Sequence, residues 1–160
     1  MGAIISSCGN YRYMLERPSE IGKPQFGPAL FIMLNPSTAD AEIDDPTIKR
    51  CRMFGKTWGC NGIKVANLYA LRTTNPTELW THDDPIGIDN DLYLVNLLEE
   101  HKDIMCAWGV NAKRERVEHF IRLAQLAEAR LWCLGTTKSG APKHPLYLKK
   151  NEPLRRWISN

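Results

Sequence analysis

The sequence predicts one α/β domain over residues 1–160: a three-layer α/β/α sandwich around a central, mostly parallel four-stranded sheet, with an extra N-terminal edge strand. Three observations carry this expectation. Short apolar runs alternate with longer amphipathic segments, and a helix between two strands implies a parallel crossover. The apolar runs stop abruptly at turn-forming residues such as Asn35-Pro36 and Gly109. A length of 160 residues suits one sizeable core and is too short for two.

Tyr11 to Leu15 alternates and reads as the edge strand, followed by a loop rich in proline and glycine through Pro28. Leu30 to Leu34 is the first buried strand. Asp45-Pro46 supplies an N-cap and a first-turn proline, so the first helix runs from about Pro46 to Trp58, where Gly59 stops it. Ile48, Cys51, Phe54, Gly55 and Trp58 form its inner face, and Lys49, Arg50, Arg52 and Lys56 fall mostly outside. Ile63 to Ala70 is the second strand, and a long polar loop over Thr81 to Ile88 leads to a helix from about Asp89 to His101. Ile104 to Trp108 is the third strand. Lys113 to Glu128 is an amphipathic helix with Val117, Phe120, Ile121, Ala124 and Ala127 inward, and Leu131 to Leu134 is the fourth buried strand.

Composition sets limits rather than a function. With 43% hydrophobic and 24% charged residues the chain is an ordinary globular one, and a net charge of +3 permits a nucleic-acid partner without requiring it. No apolar run reaches transmembrane length, so no membrane partner is expected. Cys8, Cys51, Cys60, Cys106 and Cys133 form no C-x-x-C, and an odd, unpaired set points to a reducing cytoplasm. Met1-Gly2 with Ser6 fits a lipidation pattern that is short enough to arise by chance.

The right-handed crossover rule brings the loops after the four strands to one edge of the sheet, where open α/β folds bind ligands. Asn35, Asn67 or its neighbours, Trp108 and His144 are therefore expected to converge. The loop from Asn35 to Asp45 carries four carboxylates beside an amide. Asp44-Asp45 suits a cation, yet one of the pair is wanted as an N-cap, so metal binding is the lesser reading and no metal or other cofactor is called for. Asn67 interrupts an apolar run, and it is explained about equally well by a structural hydrogen bond or by a ligand; its amide offers a donor and an acceptor together, as a base edge requires. Lys138 and Lys143 flank the same edge, where a phosphate backbone would meet them. No G-x-S-x-G, G-x-G-x-x-G or Walker A sequence is present.

In outline the motifs resemble the uracil-DNA glycosylase superfamily. Leu34-Asn35-Pro36-Ser37 looks like its first motif, Val65-Ala66-Asn67-Leu68 like the strand with its base-reading asparagine, and His144-Pro145 like the start of its last motif. Leu146 stands where that last motif carries a serine. Over almost its whole length the chain resembles an uncharacterised bacterial and phage family, domain of unknown function 1643. The segments that carry this are Met33 to Asp40, Asp44-Asp45-Pro46-Thr47, Asn67 to Arg72, Asp84-Pro85-Ile86-Gly87, Asp89-Asn90-Asp91 and Ala107-Trp108-Gly109.

The superfamily resemblance implies an enzyme that hydrolyses an N-glycosidic bond in DNA after flipping out the base. Asn35, with Asp40 or Asp44, would place water, and His144 would stabilise charge on the base carbonyl. Asn67, Tyr69, Phe54 and Trp108 would hold the base. Lys138, Lys143 and Arg72 would meet DNA, with Leu146 and Tyr147 filling the vacated stack. DNA is the expected partner, and no obligate protein partner is inferred. The alternatives are a non-catalytic module for a modified base or nucleotide, and an enzyme of free nucleotides or nucleosides.

Overall fold

A computed structural model describes residues 2–37 and 42–157. The strands among them are Gly2–Ile5 (β1), Arg12–Arg17 (β2), Ala29–Met33 (β3), Ile63–Asn67 (β4), Asp103–Cys106 (β5), Arg130–Cys133 (β6) and Arg155–Arg156 (β7). They form one sheet in the order β1-β2-β4-β3-β5-β6-β7. The central four, β4-β3-β5-β6, are parallel, as expected. The strand count is not as expected: β2 is covered by β1, and β7 adds the far edge, all three in antiparallel pairing. Neither outer strand shows in the sequence, because β1 is half-buried throughout and β7 is two exposed arginines.

The helices are Pro46–Thr57 (α1), Asn90–His101 (α2) and Arg114–Leu126 (α3). The chain steps from β3 to β4 in one direction across the sheet and from β4 to β5 to β6 in the other. Right-handed crossovers then require α1 on one face and α2 with α3 on the other. The two cores show this division. Phe31, Met33, Ile63, Val65 and Met105 pack with Ile48, Cys51 and Phe54 of α1. Leu30, Ile32, Ile104, Cys106 and Leu131 pack with Leu94, Leu98 and Phe120 of the other helices. Alternation along each strand thus feeds two cores, which is why β3 is apolar at successive positions. A 3₁₀ turn, Pro76–Trp80, lies just before the polar loop, in a segment to which the sequence reading assigned no element.

The end of β4 is pinned from the second face. The fully buried Asn90 donates through Nδ2 to the carbonyls of Asn67 and Leu68, at 3.0 and 3.1 Å. Buried Arg116 adds a bond from Nε to Leu68 O at 2.7 Å and reaches Asp91 with Nη2 at 2.6 Å. These side chains supply the hydrogen bonds that the sheet no longer gives once β4 ends. Asn90→Ala is expected to cost about 1–3 kcal/mol by leaving buried carbonyl capacity unfilled, measurable by urea unfolding. A change within a few tenths would show that Arg116 suffices.

Candidate functional site

A cleft of about 580 Å³ opens at the carboxyl edge of the parallel strands. That volume lies in the usual range for small-ligand sites. The chain reverses its direction of travel across the sheet between β3 and β5, and such switch points are where open α/β sheets leave a crevice. Asn35, Asn67, Trp108 and His144 all line it, each contributed after or at the end of a different strand. Lys143 and Leu146 line it too. Asp40 lies outside the described residues.

Asn67 closes β4 on the α1 face and is only 2% exposed. Its Nδ2 has no hydrogen-bond partner among the described residues. A buried amide donor left without a partner costs about 1–3 kcal/mol, so an unsatisfied one in a cleft wall calls for an explanation.

Asn35 is anchored differently. Its Nδ2 donates to Pro36 O at 3.1 Å and Thr73 O at 2.9 Å, while Thr73 N–H returns a bond to Pro36 O at 3.0 Å. The loops after β3 and β4 are thereby tied together, and Asn35 Oδ1 is left as its acceptor.

His144 is held by two glycines at left-handed φ. Gly109, at φ 75°, donates its N–H to Pro142 O, and a Cβ there would sit 3.9 Å from His144 Cβ. Gly135, at φ 97°, accepts from Lys143 N–H at 3.0 Å. Only glycine adopts these conformations at little steric cost. His144 Nδ1 accepts from Leu146 N–H at 3.2 Å, which places the ring's proton on Nε2. Burial pulls the ring's pKa below its ordinary 6.5, and attraction by Asp45 only partly opposes this. The imidazole is therefore neutral at pH 7, with Nε2–H as its donor.

Asp45 is the carboxylate that the cleft contains among the described residues. Its Oδ1 caps α1 by accepting from Ile48 N–H at 2.8 Å, and Ser37 Oγ–H donates to Oδ2. The sequence marked Asp45 as a cap and, in the lesser reading, as half of a cation pair with Asp44. Arg12 is a further lining residue that the sequence did not suggest. Because β2 runs antiparallel to β4, its beginning rather than its end reaches the carboxyl edge. Burial lowers the Arg12 pKa to about 10, with Asp45 partly compensating and Arg72 and Arg17 adding to the drop. The guanidinium stays charged at neutral pH.

Several expected site residues lie elsewhere. Asp44 accepts from Arg17 Nε at 2.6 Å and Arg52 Nη1 at 2.8 Å, outside the cleft wall. Phe54 is fully buried under α1, stacked on Trp58, because helical periodicity turns it to the sheet. Tyr69 follows the end of β4, so strand alternation no longer sets its direction. It packs with Trp80 in the opposite core, and its hydroxyl accepts from Lys113 N–H. Arg72 donates to Gly9 O at 3.0 Å and holds the β1–β2 turn. Lys138 is exposed on the turn beyond β6 and does not line the cleft. Trp108 lines the cleft but packs edge-on against Phe120 and Trp157. Tyr147 is 92% exposed at φ 69°, an uncommon conformation for a residue with a side chain.

Among the described residues no group of three or more His, Cys, Asp or Glu is placed to hold a metal ion. Among them, too, no helix is long and apolar enough to cross a membrane. No curated protein matches the chain. No solved structure matches it either. A family model does match, over residues 12–146, and it covers the cleft strands, α1 and His144: the chain belongs to the family described as Protein of unknown function (DUF1643).

Proposed function

We propose that the cleft receives a nucleobase and that the protein hydrolyses the N-glycosidic bond of a base extruded from DNA. The observation that carries this is Asn67: a buried side-chain amide with an unfilled donor in the cleft wall, on a backbone whose carbonyl Asn90 holds from behind. A planar group presenting donor and acceptor side by side complements the edge of a base.

The other residues fit roles around that base. His144, neutral with its proton on Nε2, donates to the base carbonyl as negative charge builds there. Asn35 Oδ1 accepts from a water directed at the sugar carbon. Asp45 helps Asn35 place that water, the part the sequence gave to Asp40 or Asp44, and also offsets positive charge on the sugar. As the C–N bond breaks, the bonding pair leaves with the base; the water oxygen forms the new C–O bond and its surplus proton passes to Asp45 or solvent. Trp108 forms one wall of the base site, and Lys143 meets a phosphate at its rim. Leu146 and exposed Tyr147 stand where the vacated stack would be filled. The motif resemblance to the uracil-DNA glycosylase superfamily supports this reading and a sandwich of that type. Cysteines that are all free support a cytoplasmic setting.

The test is incubation with single- and double-stranded oligonucleotides carrying a panel of damaged and modified bases, read by mass. Loss of one base mass from at least one substrate is expected. Asn67→Ala should then weaken discrimination among bases by about 1–3 kcal/mol. Tight binding of a modified base with none released would make the protein a binding module instead.

A further inference from the structure

Helix α1 carries Lys49, Arg50, Arg52 and Lys56 and not one carboxylate. The other helices differ: α3 mixes signs and pairs Arg114 with Glu118 at 2.7 Å, while the formal charges of α2 are the acids Asp91, Glu99 and Glu100, so α1 is the helix whose charges are all basic. Solvated helix faces commonly place opposite charges three or four residues apart, which makes the one-sign face of α1 informative.

Lys49, Arg52 and Lys56 share one side of α1 and line a second cleft, of about 680 Å³, together with Lys150 from the C-terminal segment. Two acids also line it, Asp44 and Glu20. Asp44 is engaged by Arg17 and Arg52, and Glu20, 80% exposed, pairs with Arg52 alone among the described residues. Lys49, Lys56 and Lys150 are exposed and have no carboxylate partner among the described residues. The second cleft adjoins the first. Thr47 and Ile48 line the first and Lys49 the second; along the C-terminal segment, Leu146 and Leu148 line the first and Lys150 the second.

We infer that this second cleft is a phosphodiester track, binding the backbone of the strand whose base enters the first cleft. The inference deepens the function proposed above and rests on the substrate being a polymer. Three lysines from two separate elements, without a carboxylate partner among the described residues, line one cleft beside the base site. Such contacts position a nucleic acid without reading its sequence. Arg52, fixed by two carboxylates, shapes the wall of the track, and the lysines carry its charge.

The experiment measures binding of an unmodified duplex by fluorescence anisotropy across a salt series, for the full chain and for K49A/K56A/K150A. Affinity at about 0.1 M salt should drop at least about tenfold, and the slope of log K against log salt should become shallower by about 2–3, one released counterion per lost phosphate contact. R114A/R122A, on the opposite face, should leave the slope unchanged. A second variant, K49E/K56E/K150E, should abolish binding, with circular dichroism confirming the fold of both. An unchanged slope in the alanine variant overturns the track while leaving the reaction standing. A reduced slope with no base released from any substrate supports the track and removes the reaction. Binding of the full chain to phosphatidylglycerol vesicles and to no nucleic acid overturns the track, as does base release from free nucleosides without any binding to polymer.

Discussion

Replacing His144 with alanine is expected to slow base release at least about a hundredfold while leaving DNA affinity close to that of the native protein. The scale follows from removing one preorganised donor aimed at developing negative charge. Ground-state binding changes little because the bond to the base carbonyl strengthens mainly as the glycosidic bond breaks. The pH profile supplies a separate check. The folded-state pKa of His144 lies below 6.5, so the neutral, active ring is fully present above 6.5 and is lost as pH falls through that lower value. The native rate should decline on this acid limb, and His144→Ala should lack it. His144→Gln, which keeps an N–H donor, should recover part of the rate. A variant that binds DNA poorly with an unaltered single-turnover rate would make His144 a binding group only.

The largest effect on stability is expected at a residue the sequence had placed in the catalytic machinery. Asp44→Ala removes a carboxylate from Arg17, whose side chain is 0% exposed, and should cost about 3–5 kcal/mol. Glu20→Ala, at the exposed end of the same network, should cost under about 1 kcal/mol. Burial alone would raise the Asp44 pKa, yet the bonds from Arg52 and Arg17 outweigh it and hold the group below its ordinary 3.8. A lowered carboxylate pKa stabilises the fold above 3.8, and that contribution disappears as pH falls through the folded-state value. The gap between the native protein and Asp44→Ala should therefore be full at neutral pH and close in strong acid. Urea unfolding at several pH values measures it, and a loss below about 1 kcal/mol at pH 7 would exclude a structural role of this size.

Asp44 also shows where sequence reading reached its limit. The parallel strands and all three helices were legible because their apolar periodicity is set by burial on two faces, and the convergence of Asn35, Asn67, Trp108 and His144 followed from crossover handedness. What lay hidden depends on contacts distant in sequence. Arg12 and Arg17 are charged residues at the two ends of β2 and look solvent-facing; both are buried, Arg12 in the cleft wall and Arg17 against Asp44. Between Asp44 and Asp45, composition offers no distinction. The first turns to Arg17 and Arg52, while the second, one residue nearer the helix, caps α1 and lines the cleft. Phe54 was legible as core by its helical position, and only its aromatic character suggested a base.

The bonds that tie Asn35 and Pro36 to Thr73 have a consequence for the thermodynamics of association. Thr73 is buried, and its hydroxyl accepts from Asn75 N–H and donates to Glu78, so the loop after β4 is fixed to the 3₁₀ turn as well as to the loop after β3. Asn35 and Thr73 are therefore positioned together when the chain folds, and the ordering entropy of these two residues is settled then rather than at the encounter with a ligand. A ligand that touches Asn35 or Thr73 meets both already aligned, so more of its contact energy remains as affinity. Loosening Thr73, which touches no reacting atom in the proposed chemistry, would return that entropy cost to the binding step.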